Sequence, residues 1–221
     1  MVLLQSTEIF SFYWIYNFTN WILHLFIQLI TMNTAILGWG SLLWQPKDLQ
    51  FDKEIGWSEN GPKLPIEFAR ISKDGRLTLV ITKDVKEVKT YFAISNYKTL
   101  EEAVLNLAVR EGCGRKQIGS YDKSKDTFSK EVFFDKNILE WINNTNIDAV
   151  IWTNLGENWE VKNDNGEVID TIIPDERVDY LKNLKNHKRA LAEEYIRRTP
   201  TQIDTHYRSL IEKELDWKPI L

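Results

Sequence analysis

The sequence predicts an α+β domain, because its candidate strands come first along the chain and its candidate helices come last. Of the 221 residues, 43% are hydrophobic and 12% are aromatic, which is enough apolar material to bury one sizeable core. Short apolar or alternating runs dominate before residue 96, and amphipathic stretches dominate after residue 174. We therefore expect a single domain over residues 32–221, with a helical C-terminal part over residues 175–221.

The first 31 residues differ in composition from the rest of the chain. From Ile9 to Thr31 they carry no charge, and this stretch is long enough for a membrane-spanning helix. A polar stripe at helical spacing allows an interfacial or core-packing helix instead, through Asn17, Asn20, His24 and Gln28. Met32 stands directly before the first strand, so a third interpretation is a superfluous upstream extension. A membrane is a partner only if residues 1–31 form a genuine helix.

The predicted strands are marked by apolar patterns and turn signals. Residues 34–37 form a short apolar run that glycines stop, as is typical of a buried strand. Residues 64–71 alternate apolar and polar side chains, and the turn signal Asp74-Gly75 leads into a second strand over residues 76–82. A third strand is predicted over residues 88–95.

A helix is predicted after residue 98, where the periodicity changes. Thr99 and Glu102 form a capping box, and Gly112 ends the amphipathic segment that follows. Its apolar stripe comprises Leu100, Ala103, Val104, Leu107 and Ala108. Further elements are expected downstream, namely strands at 131–134 and 149–153, a short helix at 137–143, and helices at 175–198 and 202–215 with a break at Thr199-Pro200.

Charge and cysteine content restrict the class of function. The net charge of −4 offers no basic field, so we expect no nucleic-acid partner. Cys113 is the lone cysteine, which excludes an internal disulfide and favours a reducing, cytoplasmic location. The three histidines are not at metal-ligand spacing, so no metal is expected. The oligomeric state is not indicated by the sequence.

The segment Gly38-Trp39-Gly40-Ser41-Leu42 follows the first strand and is a candidate binding loop. Glycines at a strand end allow positive φ angles and turn backbone N–H groups towards a ligand, which suits an anion such as a carboxylate. The pattern is neither a dinucleotide fingerprint nor a P-loop, because the third glycine and the Gly-Lys-Ser/Thr element are missing. On local sequence alone, a simple turn is the alternative.

Glu111 is the candidate catalytic residue. At 100° per residue it lies nearly above Leu100 on the apolar stripe of its helix, so its carboxyl group is expected to face the core. A carboxylate there is costly unless it is paired or functional, and a carboxyl group at a helix end is suited to proton transfer. The alternative is a surface ion pair with Arg110 or Arg115.

In their order and spacing, several segments together resemble the gamma-glutamylcyclotransferase superfamily. They are Leu37–Trp44, Ile66–Ile71, Leu77–Ile81, Thr90–Ile94, Val109–Gly112 and Ile118–Tyr121. The resemblance covers roughly Thr34 to Asn154. The chain departs from the family pattern at Trp39, where many members have tyrosine, and no asparagine follows Ser41.

The resemblance implies a compact mixed β-barrel flanked by helices. It further implies an enzyme that cyclises a γ-glutamyl moiety to 5-oxoproline and releases an amine, without metal or cofactor. Glu111 would be the general acid/base, Gly38–Leu42 would bind the substrate, and Tyr121 would line the pocket. The substrate class stays open among glutathione, γ-glutamyl amino acids and γ-glutamyl amines. A non-catalytic sensor of a small metabolite on the same fold is the alternative function.

Overall fold

A computed structural model describes residues 32–163 and 165–220 of the chain. The interpretations of residues 1–31 therefore lie outside the described residues. Within the described ranges, no helix is both long enough and apolar enough to cross a membrane. The same ranges contain ten strands in three sheets and five α-helices, which confirms the α+β class.

The strands are numbered in chain order. They are β1 (Thr34–Gly38), β2 (Lys63–Ile71), β3 (Leu77–Ile81), β4 (Glu87–Lys89), β5 (Tyr91–Ile94), β6 (Ile118–Asp122), β7 (Thr127–Phe128), β8 (Ala149–Thr153), β9 (Glu160–Lys162) and β10 (Val168–Thr171). The helices are α1 (Leu100–Glu111), α2 (Asp135–Asn143), α3 (Arg177–Asn183), α4 (Asn186–Arg198) and α5 (His206–Leu215).

The largest sheet has the strand order β5-β1-β8-β6-β7, with β1 parallel to β8 and antiparallel to β5. A second sheet has the order β3-β2-β4, and β9 pairs with β10. Thr90 separates β4 from β5, and its N–H donates to the Pro62 carbonyl at 3.0 Å. The segment predicted as one strand over residues 88–95 therefore passes from one sheet to the other at Thr90.

The described strands do not close into a barrel, which corrects the compact barrel implied by the resemblance. Side chains cover the outer edge of β3 at Leu79. Its N–H donates to the Tyr195 hydroxyl at 3.3 Å, and its carbonyl accepts from the Trp39 indole N–H at 3.3 Å. Because these side chains take the hydrogen bonds that another strand would need, the edge is protected without closure.

Both faces of β1 are buried, and this explains its uninterrupted apolar sequence. Ala35 and Leu37 face the larger core cluster, whereas Ile36 faces the smaller one, as the two-residue period of a strand requires. Helix α1 covers the smaller cluster through Ala103 and Leu107. The helix therefore lies across the same sheet whose first strand leads into the candidate loop.

The predicted start and end of α1 are confirmed. The Thr99 hydroxyl accepts from the Glu102 N–H at 3.3 Å, and Gly112 ends the helix in the left-handed conformation at φ 62°. The predicted strand at 131–134 is wrong, because that segment leads into α2 with Phe134 at the N-cap. Phe134 packs on Trp152 with ring centroids 5.6 Å apart, so its apolar character reflects core packing.

The C-terminal part is helical, as predicted, but its first predicted helix is interrupted. Chain residues 174–176 form a 3₁₀ turn, and α3 ends before Leu184, which adopts an extended conformation and is buried. Arg189 of α4 donates to the carbonyls of Leu181 and Lys182 at 3.2 and 3.3 Å, which satisfies the end of α3. The predicted break at Thr199-Pro200 is confirmed.

Candidate functional site

The end of β1 and the end of α1 meet at a cavity of about 410 Å³. Its lining includes four residues of the candidate loop, Trp39, Gly40, Ser41 and Leu42, together with Glu111. The structure thus brings together the loop and the carboxyl group that the sequence singled out separately. Gly38 is not among the residues that line the cavity; it is buried as the last residue of β1.

The glycines of the loop are required for close approach and not for positive φ angles. Positive φ occurs at other described glycines, but not at Gly38 or Gly40, which corrects the sequence interpretation. A Cβ atom on Gly38 would lie 2.7 Å from the Trp57 ring, and one on Gly40 would collide with the Tyr195 hydroxyl. Each glycine therefore makes room for an aromatic side chain that packs against the loop.

Residues 40–45 form a helical turn that leaves backbone donors beside the cavity. The Leu43 N–H donates to the Gly40 carbonyl at 3.0 Å, and the Gln45 N–H donates to the Ser41 carbonyl at 2.8 Å. The N–H groups of Gly40, Ser41 and Leu42 donate to no acceptor in the described part of the chain. They are therefore available to an acceptor in the cavity, which an anionic group supplies.

Trp39 has a structural task in the loop. Its side chain is buried in the larger core cluster, and its indole N–H donates a hydrogen bond to the Leu79 carbonyl of β3. Leu42, three residues on, is buried in the smaller cluster with Ile36 and Leu107. The loop is consequently anchored in both cores, so its backbone amides are held in place before a ligand arrives.

Arg110 connects the loop to Glu111. Its side chain is only 6% exposed, and its Nη1 lies 2.5 Å from the Glu111 Oε1. Its Nη2 donates to the Ser41 hydroxyl at 3.1 Å and to the Gln45 carbonyl at 2.8 Å. The Nε is buried and has no protein partner in the described part of the chain. One guanidinium therefore fixes the position of the loop relative to the carboxylate.

The helical period of α1 already indicates that Arg110 is buried. Arg110 lies three residues after Leu107 and seven after Ala103, which places it on the buried face of α1. The ion pair with Arg110 that was the alternative interpretation of Glu111 does occur, but beside the cavity and not on the open surface. Glu111 is 15% exposed, so the pair is largely shielded from water.

Tyr121 lies away from this cavity, which corrects its assignment to the pocket. It is buried in the core, where its ring packs on Phe128 at 4.6 Å. Its hydroxyl donates to the Asp126 carboxylate at 2.8 Å. Burial, together with that carboxylate, raises the pKa of Tyr121 to about 12. The residue supports β6 and β7 and does not line the site.

Tyr195 of α4 is a cavity residue that sequence reasoning missed. Its hydroxyl accepts from the Leu79 N–H and lies against Gly40. The hydroxyl proton itself has no acceptor within the described ranges. Burial raises the pKa of Tyr195 to about 12, so the group stays a hydrogen-bond donor at neutral pH. Tyr195 and Leu79 are 116 residues apart in the sequence, so no local sequence pattern indicates that Tyr195 contributes to the cavity.

The cavity is strongly basic although the chain as a whole is acidic. Its lining has one carboxylate, Glu111, and a larger set of cationic side chains, namely Lys47, Arg70, Lys73, Arg76 and Arg110. Arg76 pairs with Asp74 at 2.8 Å. Partial burial lowers the pKa of Arg70, whose Nη1 donates to the Gly156 carbonyl at 2.8 Å. This arrangement favours an anionic ligand.

Cys113 also lines the cavity, two residues after Glu111. Burial raises the pKa of the Cys113 thiol, and the charge of Glu111 raises it further. Both effects disfavour the thiolate, which is the nucleophilic form. The Cys113 thiol is therefore poorly suited to act as a nucleophile in this cavity.

Comparison with models of known protein families, with characterised proteins and with solved structures found no match. The chemistry of the cavity is accordingly inferred from its own residues.

Proposed function

We propose that the protein is a gamma-glutamylcyclotransferase-type enzyme that converts a γ-glutamyl compound to 5-oxoproline and a released amine. The observation that carries this proposal is the shared cavity of Glu111 and the amides of Gly40, Ser41 and Leu42. The fold would then be a member of that superfamily in which the described strands form separate sheets. The reaction requires no cofactor, and the single cysteine fits a cytoplasmic enzyme.

The loop amides bind the γ-glutamyl half of the substrate. Its α-carboxylate is an acceptor for the donors of Gly40, Ser41 and Leu42, which lack protein acceptors in the described chain. Arg110 holds this loop through Ser41 and Gln45, so the bound substrate has a fixed position relative to Glu111. Such positioning is effective because the attacking amine and the carbonyl belong to one molecule.

Glu111 transfers the proton. Its carboxylate accepts a proton from the substrate α-amine as the nitrogen attacks the γ-carbonyl, forming the new C–N bond of the five-membered lactam. The original amide C–N bond then breaks, and the departing amine takes the proton from Glu111. No water is consumed, and the carboxylate is regenerated. The Tyr195 hydroxyl, which lies against Gly40, supplies a further donor for a substrate oxygen.

The substitution Glu111→Gln tests the proposal in the full chain. We expect release of 5-oxoproline from a panel of γ-glutamyl compounds to fall by about 10²- to 10⁴-fold, which is the usual contribution of a general acid/base. Glu101→Gln is the matched control, because Glu101 lies on the same helix and its side chain is 68% exposed. Turnover by Glu111→Gln that equals that of the control would remove Glu111 from the mechanism.

A second candidate is a non-catalytic sensor that binds the same small molecules. The ion pair with Arg110 favours it, because this pair by itself accounts for the position of the Glu111 carboxylate. Thermal-shift measurements with γ-glutamyl compounds separate the two functions. Stabilisation of the protein without release of 5-oxoproline supports the sensor.

A further inference from the structure

Three of the basic cavity residues lie on the hairpin formed by β2 and β3. Arg70 is in β2, Lys73 is in the turn, and Arg76 directly precedes β3. We refer to them as the basic hairpin cluster. All three line the cavity that contains Glu111, but they belong to a different chain segment from the loop at residues 39–42. The two segments therefore offer separate binding surfaces to one ligand.

The charge of the basic hairpin cluster is only partly neutralised by the protein. Arg76 pairs with Asp74, whose carboxylate also accepts from the Ser72 hydroxyl at 2.6 Å. Arg70 and Lys73 form no ion pair with any residue in the described ranges. Cations gathered around one cavity repel each other, and an anion in the cavity relieves that repulsion.

Arg70 and Lys73 also border a second cavity of about 320 Å³. Ser72 is shared by the two cavities as well, and the second adds Lys162, which pairs with Glu160 at 3.1 Å. Arg70 and Lys73, which line both cavities, therefore stand between the cavity of Glu111 and the second cavity. A ligand whose γ-glutamyl half occupies the loop can extend its other half towards this cluster.

We propose that the basic hairpin cluster binds a carboxylate on the departing half of the substrate, so that the released amine is an amino acid or peptide and not a neutral or cationic amine. This inference rests on the proposed function, because it takes the loop as the site of the γ-glutamyl half. Repulsion by Arg70 and Lys73 excludes γ-glutamyl amines whose departing half is cationic. The carboxylate accepts hydrogen bonds from guanidinium and ammonium groups, which are strong donors.

The test compares two compounds that differ in one group, γ-glutamylglycine and γ-glutamylglycinamide. We expect kcat/KM for the carboxylate compound to exceed that for the carboxamide by about tenfold or more, the scale of one hydrogen bond between charged groups. Lys73→Gln and the double variant Arg70→Gln, Lys73→Gln should bring the ratio close to one. Lys136→Gln, an exposed residue of α2 outside both cavities, should keep the wild-type ratio.

Isothermal titration of the Glu111→Gln protein with both compounds separates recognition from turnover. A carboxylate preference in Kd that Lys73→Gln abolishes supports carboxylate binding by the basic hairpin cluster, whereas absence of 5-oxoproline release from the wild-type chain overturns the proposed function alone. Equal affinities for the two compounds, or failure to bind either, would overturn the inference. Turnover of both compounds at equal rates would overturn it as well, while leaving the proposed function intact.

Discussion

Replacing Arg110 by methionine removes the guanidinium that joins the loop to Glu111 while keeping most of the side-chain volume. Three contacts are lost at once, to Glu111, to the Ser41 hydroxyl and to the Gln45 carbonyl. The two charged side chains are 6% and 15% exposed, so water cannot fully replace the lost partner. Breaking a buried pair by removing one member costs about 3–5 kcal/mol, and we expect Arg110→Met to lower the free energy of unfolding by that amount.

This loss is large relative to the total stability of a domain, which is about 5–15 kcal/mol. At about 2–4 °C per kcal/mol for a domain of this size, Tm should fall by about 6–20 °C. Urea unfolding followed by tryptophan fluorescence measures the change, since the chain contains nine tryptophans. Arg115→Met is the control, because its ion pair with Glu101 is 54% and 68% exposed. An Arg110→Met effect no larger than that of the control would refute the role assigned to Arg110.

Three other outcomes are expected. Gly40→Ala should lower Tm, because the added methyl group collides with the Tyr195 hydroxyl; Gly156→Ala, where the methyl group meets nothing within 4 Å, should leave Tm nearly unchanged. Tyr195→Phe should lower the free energy of unfolding by about 1–3 kcal/mol, because the buried Leu79 N–H loses its acceptor, and should also weaken ligand affinity measured by titration. Alkaline unfolding followed by circular dichroism should show that the free energy of unfolding falls between about pH 10 and about pH 12. The folded-state pKa values of Tyr121, Tyr180 and Tyr195 are raised to about 12. In the unfolded chain these tyrosines ionise near their ordinary pKa of about 10, so the unfolded state is favoured as the pH rises through this interval. A flat stability profile over that interval would contradict the burial assigned to their hydroxyl groups.

Local signals predicted the elements that position the site. The capping box at Thr99 and the glycine at 112 gave both ends of α1, and the apolar run at 34–37 gave β1. Because the helical period fixes which face of α1 is buried, the sequence also indicated that Glu111 faces inward. These features depend on neighbouring residues, so a single sequence contains the information that determines them.

Features set by distant contacts were missed. Strand β6 contains Gly119, Ser120 and Asp122, so it lacks the apolar alternation of a strand although all five of its residues are buried. Tyr121 was assigned to the pocket by resemblance, and its hydroxyl instead bonds Asp126. The basic lining was hidden because Lys47, Arg70 and Lys73 are scattered along a chain of net charge −4. These residues come together at the cavity only because the β2–β3 hairpin packs against the loop at residues 39–42.

Because of the contact between Tyr195 and Leu79, the site is completed only after the C-terminal helix α4 has been synthesised. During synthesis the loop, β3 and α1 leave the ribosome well before α4, and until then Leu79 has no Tyr195 hydroxyl to accept its N–H. A nascent chain that stops before α4 thus presents an unprotected strand edge, the kind of surface on which chains aggregate. The cavity becomes complete only when the C-terminal helices dock, so ligand binding reports that the whole domain has folded.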